Sequence, residues 1–138
     1  MTLVTTSRRS TPVIRSIAKD FAFASGFTYL TRGKHGLREI AGDNDLFLVI
    51  ECQKSETMLT VYTNGIPSLC RIIREHKQGI REGPLFRGVK TSDQKLGSVL
   101  AGSCTVEYFD NDQLILCFDG PQKRYKQLVL IPGVANEA

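Results

Sequence analysis

A mixed α+β domain built from two comparable halves is the fold this sequence predicts, and three observations carry that expectation. The first is a strongly patterned helix, in which Val13, Ile14, Ile17, Phe21 and Ala24 recur at helical spacing. The second is Leu46-Phe47-Leu48-Val49-Ile50, a continuous apolar run that suits a strand buried on both faces. The third is the tail, where strand-like segments are separated by Asp110-Asn111-Asp112 and Gly120-Pro121-Gln122, both turn-forming sequences. With 138 residues the chain suits one domain, its halves spanning about 1–64 and 65–134 and meeting near Asn64-Gly65.

The elements follow in order. Thr2 to Thr6 reads as a short strand. Thr11-Pro12 reads as an N-cap followed by proline at the first helical position, and Gly26 as the stop of that helix. Arg15 and Lys19 stand four apart on the face opposite the apolar stripe. Phe27 to Leu30 is a strand, Arg32 to Gly36 a basic loop between glycines, and Leu37 to Ala41 a short helix stopped by Gly42. Met58 to Tyr62 alternates as a neighbour of the 46–50 strand. Ser68 to Lys77 fits either a helix or a strand with Leu69, Arg71 and Ile73 on one face. Gly79 to Lys90 reads as a loop, and Ser92 or Thr91 as the cap of a second helix burying Leu96, Val99 and Leu100. Val106–Phe109, Leu114–Phe118 and Tyr125–Ile131 then form an antiparallel meander.

Composition narrows the function. The apolar fraction is 41% and the net charge +4, a balance that favours polyanionic partners. Cys52, Cys70, Cys104 and Cys117 show no C-x-x-C spacing, and His35 and His76 are the only histidines, so neither a zinc site nor a disulfide framework is expected. The cysteines read as small buried hydrophobes in a reducing cytoplasm. No apolar run approaches the roughly 20 residues of a membrane span, and no signal peptide is visible. A cytoplasmic protein with no membrane partner is expected.

The chemistry-bearing residues concentrate at the first helix. A helix start offers free N–H groups and the positive end of the macrodipole. Here Ser7, Ser10 and Thr11 add hydroxyls, and Arg8 and Arg9 add charge. An ordinary cap with solvated arginines would explain this alone. Arg15 and Lys19 extend the basic sector along the helix, however, and Arg32, Lys34 and Arg38 lie beyond the next strand, so an anion site for phosphate is the stronger reading. A second basic group, Arg71, Arg74, Lys77, Arg81, Arg87 and Lys90, suits function or solvation equally. A third, Lys123-Arg124-Lys126, reads as structural, because edge strands carry such charges to resist aggregation. Phe23 and Phe86 have the chemistry of base-stacking platforms, with satellite packing as the commoner role.

Enzyme signals are poor. The sequence has no G-x-x-x-x-G-K-[ST] and no G-x-G-x-x-G. The pairs Asp43/Asp45 and Asp110/Asp112 are explained by turns, and no partner group can be placed beside His35 as a general base. The residues therefore predict no enzyme, no cofactor, no metal and no small-molecule substrate.

Thr5-Thr6-Ser7-Arg8, Pro12, Arg15, Ala18-Lys19-Asp20, Arg32-Gly33-Lys34 and Leu37-Arg38-Glu39-Ile40, followed by the strand Asp45 to Glu51, resemble the Brix-domain family in type and spacing. The second half matches more loosely. Gly65-Ile66-Pro67-Ser68 stands in place of a Gly-Pro-Thr turn that precedes a strand, which tilts 68–77 toward strand, and Pro84-Leu85-Phe86 and the helix from Ser92 fall in register. The family's closing acidic-Gly-Pro-Arg-Phe segment is missing, with Gln122-Lys123-Arg124-Tyr125-Lys126 in that region. The chain is similar to the small archaeal members, a single Brix domain over 1–138.

The resemblance implies two structurally related halves, each similar to the anticodon-binding domain of class IIa aminoacyl-tRNA synthetases. It also implies a non-catalytic ribosome-biogenesis factor that binds precursor ribosomal RNA during processing and subunit assembly, with ribosomal or assembly-factor proteins as possible further partners. The expected RNA-binding residues are Arg8, Arg9, Arg15, Lys19, Arg32, Lys34 and Arg38, with Ser7, Ser10 and Thr11 at the helix start. The alternatives are a protein scaffold in a pre-ribosomal particle, anchored near Leu85-Phe86, and a metal-assisted ribonuclease.

Overall fold

The structure is a computed structural model that describes residues 2–7, 10–31, 36, 45–53 and 55–133. Among these residues nine strands form one mixed sheet. They are β1 (Thr2–Thr6), β2 (Thr28–Leu30), β3 (Leu46–Gln53), β4 (Glu56–Thr63), β5 (Ile66–Ile80), β6 (Val89–Thr91), β7 (Val106–Tyr108), β8 (Leu114–Asp119) and β9 (Arg124–Pro132). The helices among the described residues are α1 (Pro12–Ser25) and α2 (Gln94–Leu100). The strand order is β2-β1-β3-β4-β5-β9-β8-β6-β7. This is the mixed α+β class the sequence predicts.

Local chemistry sets the elements. Thr11 is the N-cap of α1, its hydroxyl accepting from the Ile14 amide at 3.2 Å, and Pro12 opens the helix without wasting a donor. Thr11→Ala is expected to cost about 1 kcal/mol, read as a lower urea midpoint. Gly26 closes the helix in the left-handed region at φ 81, and its amide bonds the Ala22 carbonyl at 2.9 Å. Asn64 and Gly65, both at positive φ, make the tight turn between β4 and β5.

Both helices lie against one face of the sheet. Ile14, Ile17, Phe21, Leu96 and Leu100 share a core with Val4, Leu48, Ile50, Val89, Leu116, Leu128 and Leu130. Leu3, Phe47 and Val49 form a smaller cluster with Leu30 and Tyr62, and the Phe47 and Tyr62 rings stack at 4.7 Å. Alternate residues of β3 thus belong to different clusters, so β3 is buried on both faces, as its unbroken hydrophobicity predicts.

The ambiguous 68–77 segment is strand. β5 runs for 15 residues; its first part pairs antiparallel with β4 and its second with β9, with the register slipping between Ile73 and Glu75. A strand this long joins the two sides of the sheet.

Four expectations need correction. The segment 79–90 is not all loop: β5 continues to Ile80 and β6 begins at Val89. The tail is not a simple meander. β7 pairs parallel with β6, and β8 pairs with the other side of β6, so residues 109–113 carry the chain across the end of β6. The reason is α2, which crosses over from β6 and sets the next strand down parallel to it. The Phe109 amide then bonds the Thr91 carbonyl at 3.2 Å, and Ser92 bonds Gln113 and Ile115, which fixes the crossing. The cap of α2 is Asp93, not Ser92 or Thr91. Finally, Cys52 is exposed, unlike buried Cys70 and half-buried Cys104 and Cys117; all four are free thiols. The proposed helix at 37–41 lies outside the described residues.

Candidate nucleic-acid interface

The start of α1 gathers hydroxyls around one guanidinium. Arg15, half-buried, folds back toward the helix start, where Nη1 donates to the Ser10 carbonyl oxygen and lies 3.4 Å from Ser10 Oγ. Thr6 Oγ1 donates to Ser10 Oγ at 3.2 Å, and the Ser7 amide donates to the Ile50 carbonyl at 3.3 Å. Ser7, Ser10, Thr11 and Arg15 are therefore neighbours, held by the end of β1 and the first turn of α1. That turn carries no acidic side chain, so the positive end of the helix is not neutralised from within it.

Lys19 is exposed one turn further along, with Nζ 5.7 Å from the centre of the Tyr29 ring. Phe23 follows after another turn, half-buried, and Arg87 from the 81–88 loop lies over its ring at 4.3 Å. Arg87 Nη1 also donates to the Phe23 carbonyl at 2.7 Å. Pro12, Arg15, Ser16, Lys19, Asp20 and Arg124 line an open cavity of about 280 Å³ beside the helix. Arg8, Arg9, Arg32, Lys34, Arg38 and His35 lie outside the described residues.

Several charges turn inward. Asp20, on the buried side of α1, meets Arg124 Nη2 at 2.9 Å and Lys126 Nζ at 2.7 Å. The Lys126 side chain is fully buried, while that of Arg124 keeps 31% of its surface exposed. Burial pushes the Asp20 carboxyl up, but the hydrogen bonds and charges of Arg124 and Lys126 outweigh that effect and hold it below its ordinary value. Gly120 packs against this cluster: a Cβ there would come within 2.6 Å of Asp20 Oδ2. His76 lies close by. Its Nε2 is buried without a hydrogen-bond partner, and burial and the Lys126 charge hold the ring below its ordinary histidine value, against the smaller opposing pull of Asp20. Arg124 and Lys126 thus have the structural role the sequence suggests for them, through a buried ion pair and not through edge protection.

The start of α2 is built differently. Asp93 caps it, accepting from the Leu96 amide at 3.2 Å, and its carboxylate holds Arg71 at 2.6 and 3.2 Å. Arg71 and Asp93 are both buried. The α2 start therefore holds its own anion and its own countercharge, whereas the α1 start presents a cation and hydroxyls. Arg71 belongs to the buried frame, its charge met by Asp93. The Asp110 and Asp112 side chains are exposed beside the crossing, and no group of three or more His, Cys, Asp or Glu that could hold a metal comes together among the described residues. Among those residues no helix is long and apolar enough to cross a membrane.

Sequence reasoning missed Arg87 as part of the α1 surface. It stands 64 positions from Phe23, and nothing local signals that contact.

No family model matches the chain, and no curated protein does. Solved structures do. The chain is similar to Mil, an archaeal Imp4-like protein, at 18% identity and a TM-score of 0.60 over 95% of this chain and 99% of that one. It is similar to a probable ribosomal biogenesis protein from Aeropyrum pernix K1 at 19% identity and a TM-score of 0.65, over 96% of each chain. Both likenesses run almost end to end, so the chain shares the fold of these two structures, in keeping with the resemblance carried by residues 5–51.

Proposed function

We propose that this protein is a ribosome-biogenesis factor of the cytoplasm that binds precursor ribosomal RNA during processing and subunit assembly without catalysing a reaction. The supporting observation is the end-to-end likeness to a probable ribosomal biogenesis protein. The outward stripe of α1 supplies a physical means: Arg15 and Lys19 stand one turn apart beside a hydroxyl-rich helix start whose first turn has no acid. Cations so placed bind a phosphate backbone and release its counterions. The fold reads as two related halves, about 1–64 and 65–134, of the type of a synthetase anticodon-binding domain. In support, β1-α1-β2-β3-β4 takes the order 2-1-3-4 on one side of β5, and β6-α2-β7-β8-β9 takes 7-6-8-9 on the other. Since α2 carries its own anion, RNA contact belongs to the α1 half.

Arg15→Ala with Lys19→Ala is expected to weaken binding to a precursor ribosomal RNA fragment about tenfold, on the order of 1–2 kcal/mol. It should also flatten the slope of log K against log salt by about 1.4 to 1.8 units, as two lost phosphate contacts require. Fluorescence anisotropy across a salt series reads both quantities. Unchanged binding and slope would remove α1 from the interface, and cleavage of that RNA by the pure protein with Mg²⁺ would replace the non-catalytic reading by the ribonuclease.

One observation favours a protein scaffold as the second reading. Ile80 and Leu85 are exposed on a segment that is itself well pinned, by Arg81 to Gly120 and Lys123 and by the Phe86 amide to Asp119. Association with a pre-ribosomal particle that survives high salt and nuclease would support that role.

A further inference from the structure

Aromatic rings punctuate the cationic stripe of α1, and their placement says more than charge alone. Arg15, Lys19 and Phe23 follow one another at intervals of four residues, a step of about 6 Å along the helix. Each of the last two has a partner from elsewhere in the fold: Lys19 lies near the Tyr29 ring of β2, and Phe23 lies under the Arg87 guanidinium. Arg87 comes from a loop held in place at both ends. The Phe86 amide bonds Asp119 Oδ2 at 2.9 Å, and the Val89 amide bonds the Thr105 carbonyl at 2.9 Å. Between them, Gly88 takes a φ of 143 so close to Thr105 that a Cβ would sit 2.5 Å from its carbonyl oxygen. The guanidinium is therefore fixed three ways: by its loop, by the Phe23 ring and by its bond to the Phe23 carbonyl.

The guanidinium carbon stands over the Phe23 ring at 4.3 Å, and Arg87 is exposed. A planar cation backed by an aromatic ring is a stacking surface for another flat ring. At the far end of the same stripe stand the Arg15 and Lys19 charges, suited to phosphates. A duplex hides its base faces in its own stack and has no use for such a surface; an unpaired strand does.

We propose that the α1 stripe binds a single-stranded segment of RNA, with its backbone along Arg15 and Lys19 and one base stacked on the Arg87–Phe23 pair. The proposal rests on the RNA-binding function above and narrows it to unpaired RNA.

The test uses the full chain and two probes of one sequence: a 12-nucleotide single strand carrying 2-aminopurine, and the same strand paired to its complement. The single strand should bind at least tenfold tighter than the duplex at equal salt, and its 2-aminopurine fluorescence should be quenched on binding. Arg87→Lys keeps the charge and removes the plane. It should weaken single-strand binding about fivefold or more, abolish the added quenching, leave the salt slope unchanged and leave duplex binding as it was. Phe23→Leu, which removes the backing ring and keeps bulk, should act in the same direction. A duplex bound as tightly as the single strand overturns the proposal and leaves RNA binding standing, as does an Arg87→Lys protein that binds and quenches like the original. Failure to bind either probe at low salt overturns both the proposal and the RNA-binding function beneath it.

Discussion

Asp20→Asn will lower the folding stability of this protein by about 3–5 kcal/mol, because it strips a fully buried ammonium of its counter-charge. Lys126 cannot reach water; its remaining partner is Gln78 Oε1, a neutral oxygen. Arg124, partly exposed, can turn outward, so the cost falls on the lysine. With domain stabilities of roughly 5–15 kcal/mol, a loss of this size is a large fraction of the total. In urea, at a slope of about 2 kcal/mol per molar, the midpoint should fall by about 1.5–2.5 M. Asp20→Leu combined with Lys126→Met removes both charges and should recover most of the loss, since apolar side chains of similar volume replace buried ion pairs at little cost. A single variant that unfolds within about 1 kcal/mol of the original would mean that the ammonium escapes to solvent on its own.

The same cluster sets the acid limit of the fold. Asp20 is held below its ordinary 3.8, so its contribution is complete above that value and is lost as pH falls toward and through the lower folded value. His76 is held below its ordinary 6.5, so the unfolded chain takes up a proton below 6.5 that the folded protein refuses. Both effects destabilise toward acid. Stability should therefore begin to decline below about pH 6.5 and decline further below about pH 3.8; Asp20→Asn should abolish the second stage and, by removing the charge that raises His76, deepen the first.

These inward charges were readable in the sequence as violations of pattern. Asp20 falls three residues after Ile17 and four before Ala24, on the apolar stripe of α1. Lys126 stands in alternation with Leu128 and Leu130, and Arg71 lies between Leu69 and Ile73 on one face of a strand. A charge in a hydrophobic register asks for a buried partner, although pattern does not say which one. The partners are 106, 104 and 22 positions away for Lys126, Arg124 and Arg71, and only the folded sheet brings them together. The helix α1 was legible because cap, proline, stripe and glycine all agree locally. The meander misreading has the opposite cause: a short turn-like sequence predicts a hairpin, while the crossover through α2 had already committed β7 to the far side of β6. Of the interface, the Arg15–Lys19 spacing could be read from the helix period, whereas the Arg87–Phe23 stack could not be.

The largest loss should come from Asp93→Ala, because this one carboxylate does two jobs. It caps α2 through the Leu96 amide and neutralises Arg71 with two hydrogen bonds, and both side chains are under one-tenth exposed. Removing the cap costs about 1 kcal/mol, and leaving the guanidinium buried and unpaired costs about 3–5 more. A total of about 4–6 kcal/mol approaches the whole stability of a marginal domain. Asp93→Asn separates the two roles, since its amide oxygen still accepts from Leu96 while the charge is gone; it should be the milder variant by about the value of the cap. Arg71→Met added to Asp93→Asn should then restore most of what remains, as no ion is left in the interior. Hydrogen exchange should show where the loss falls. Arg71 sits on the β5 segment shared by β4 and β9, and Asp93 on the unit that ends the sheet at β7. Breaking the pair should therefore release the amides of α2, β6 and β7 before those of β3 and β4. If Asp93→Ala and Asp93→Asn instead differ from the original by no more than the cap, Arg71 is reaching water, and the second helix is held by Leu96 and Leu100 alone.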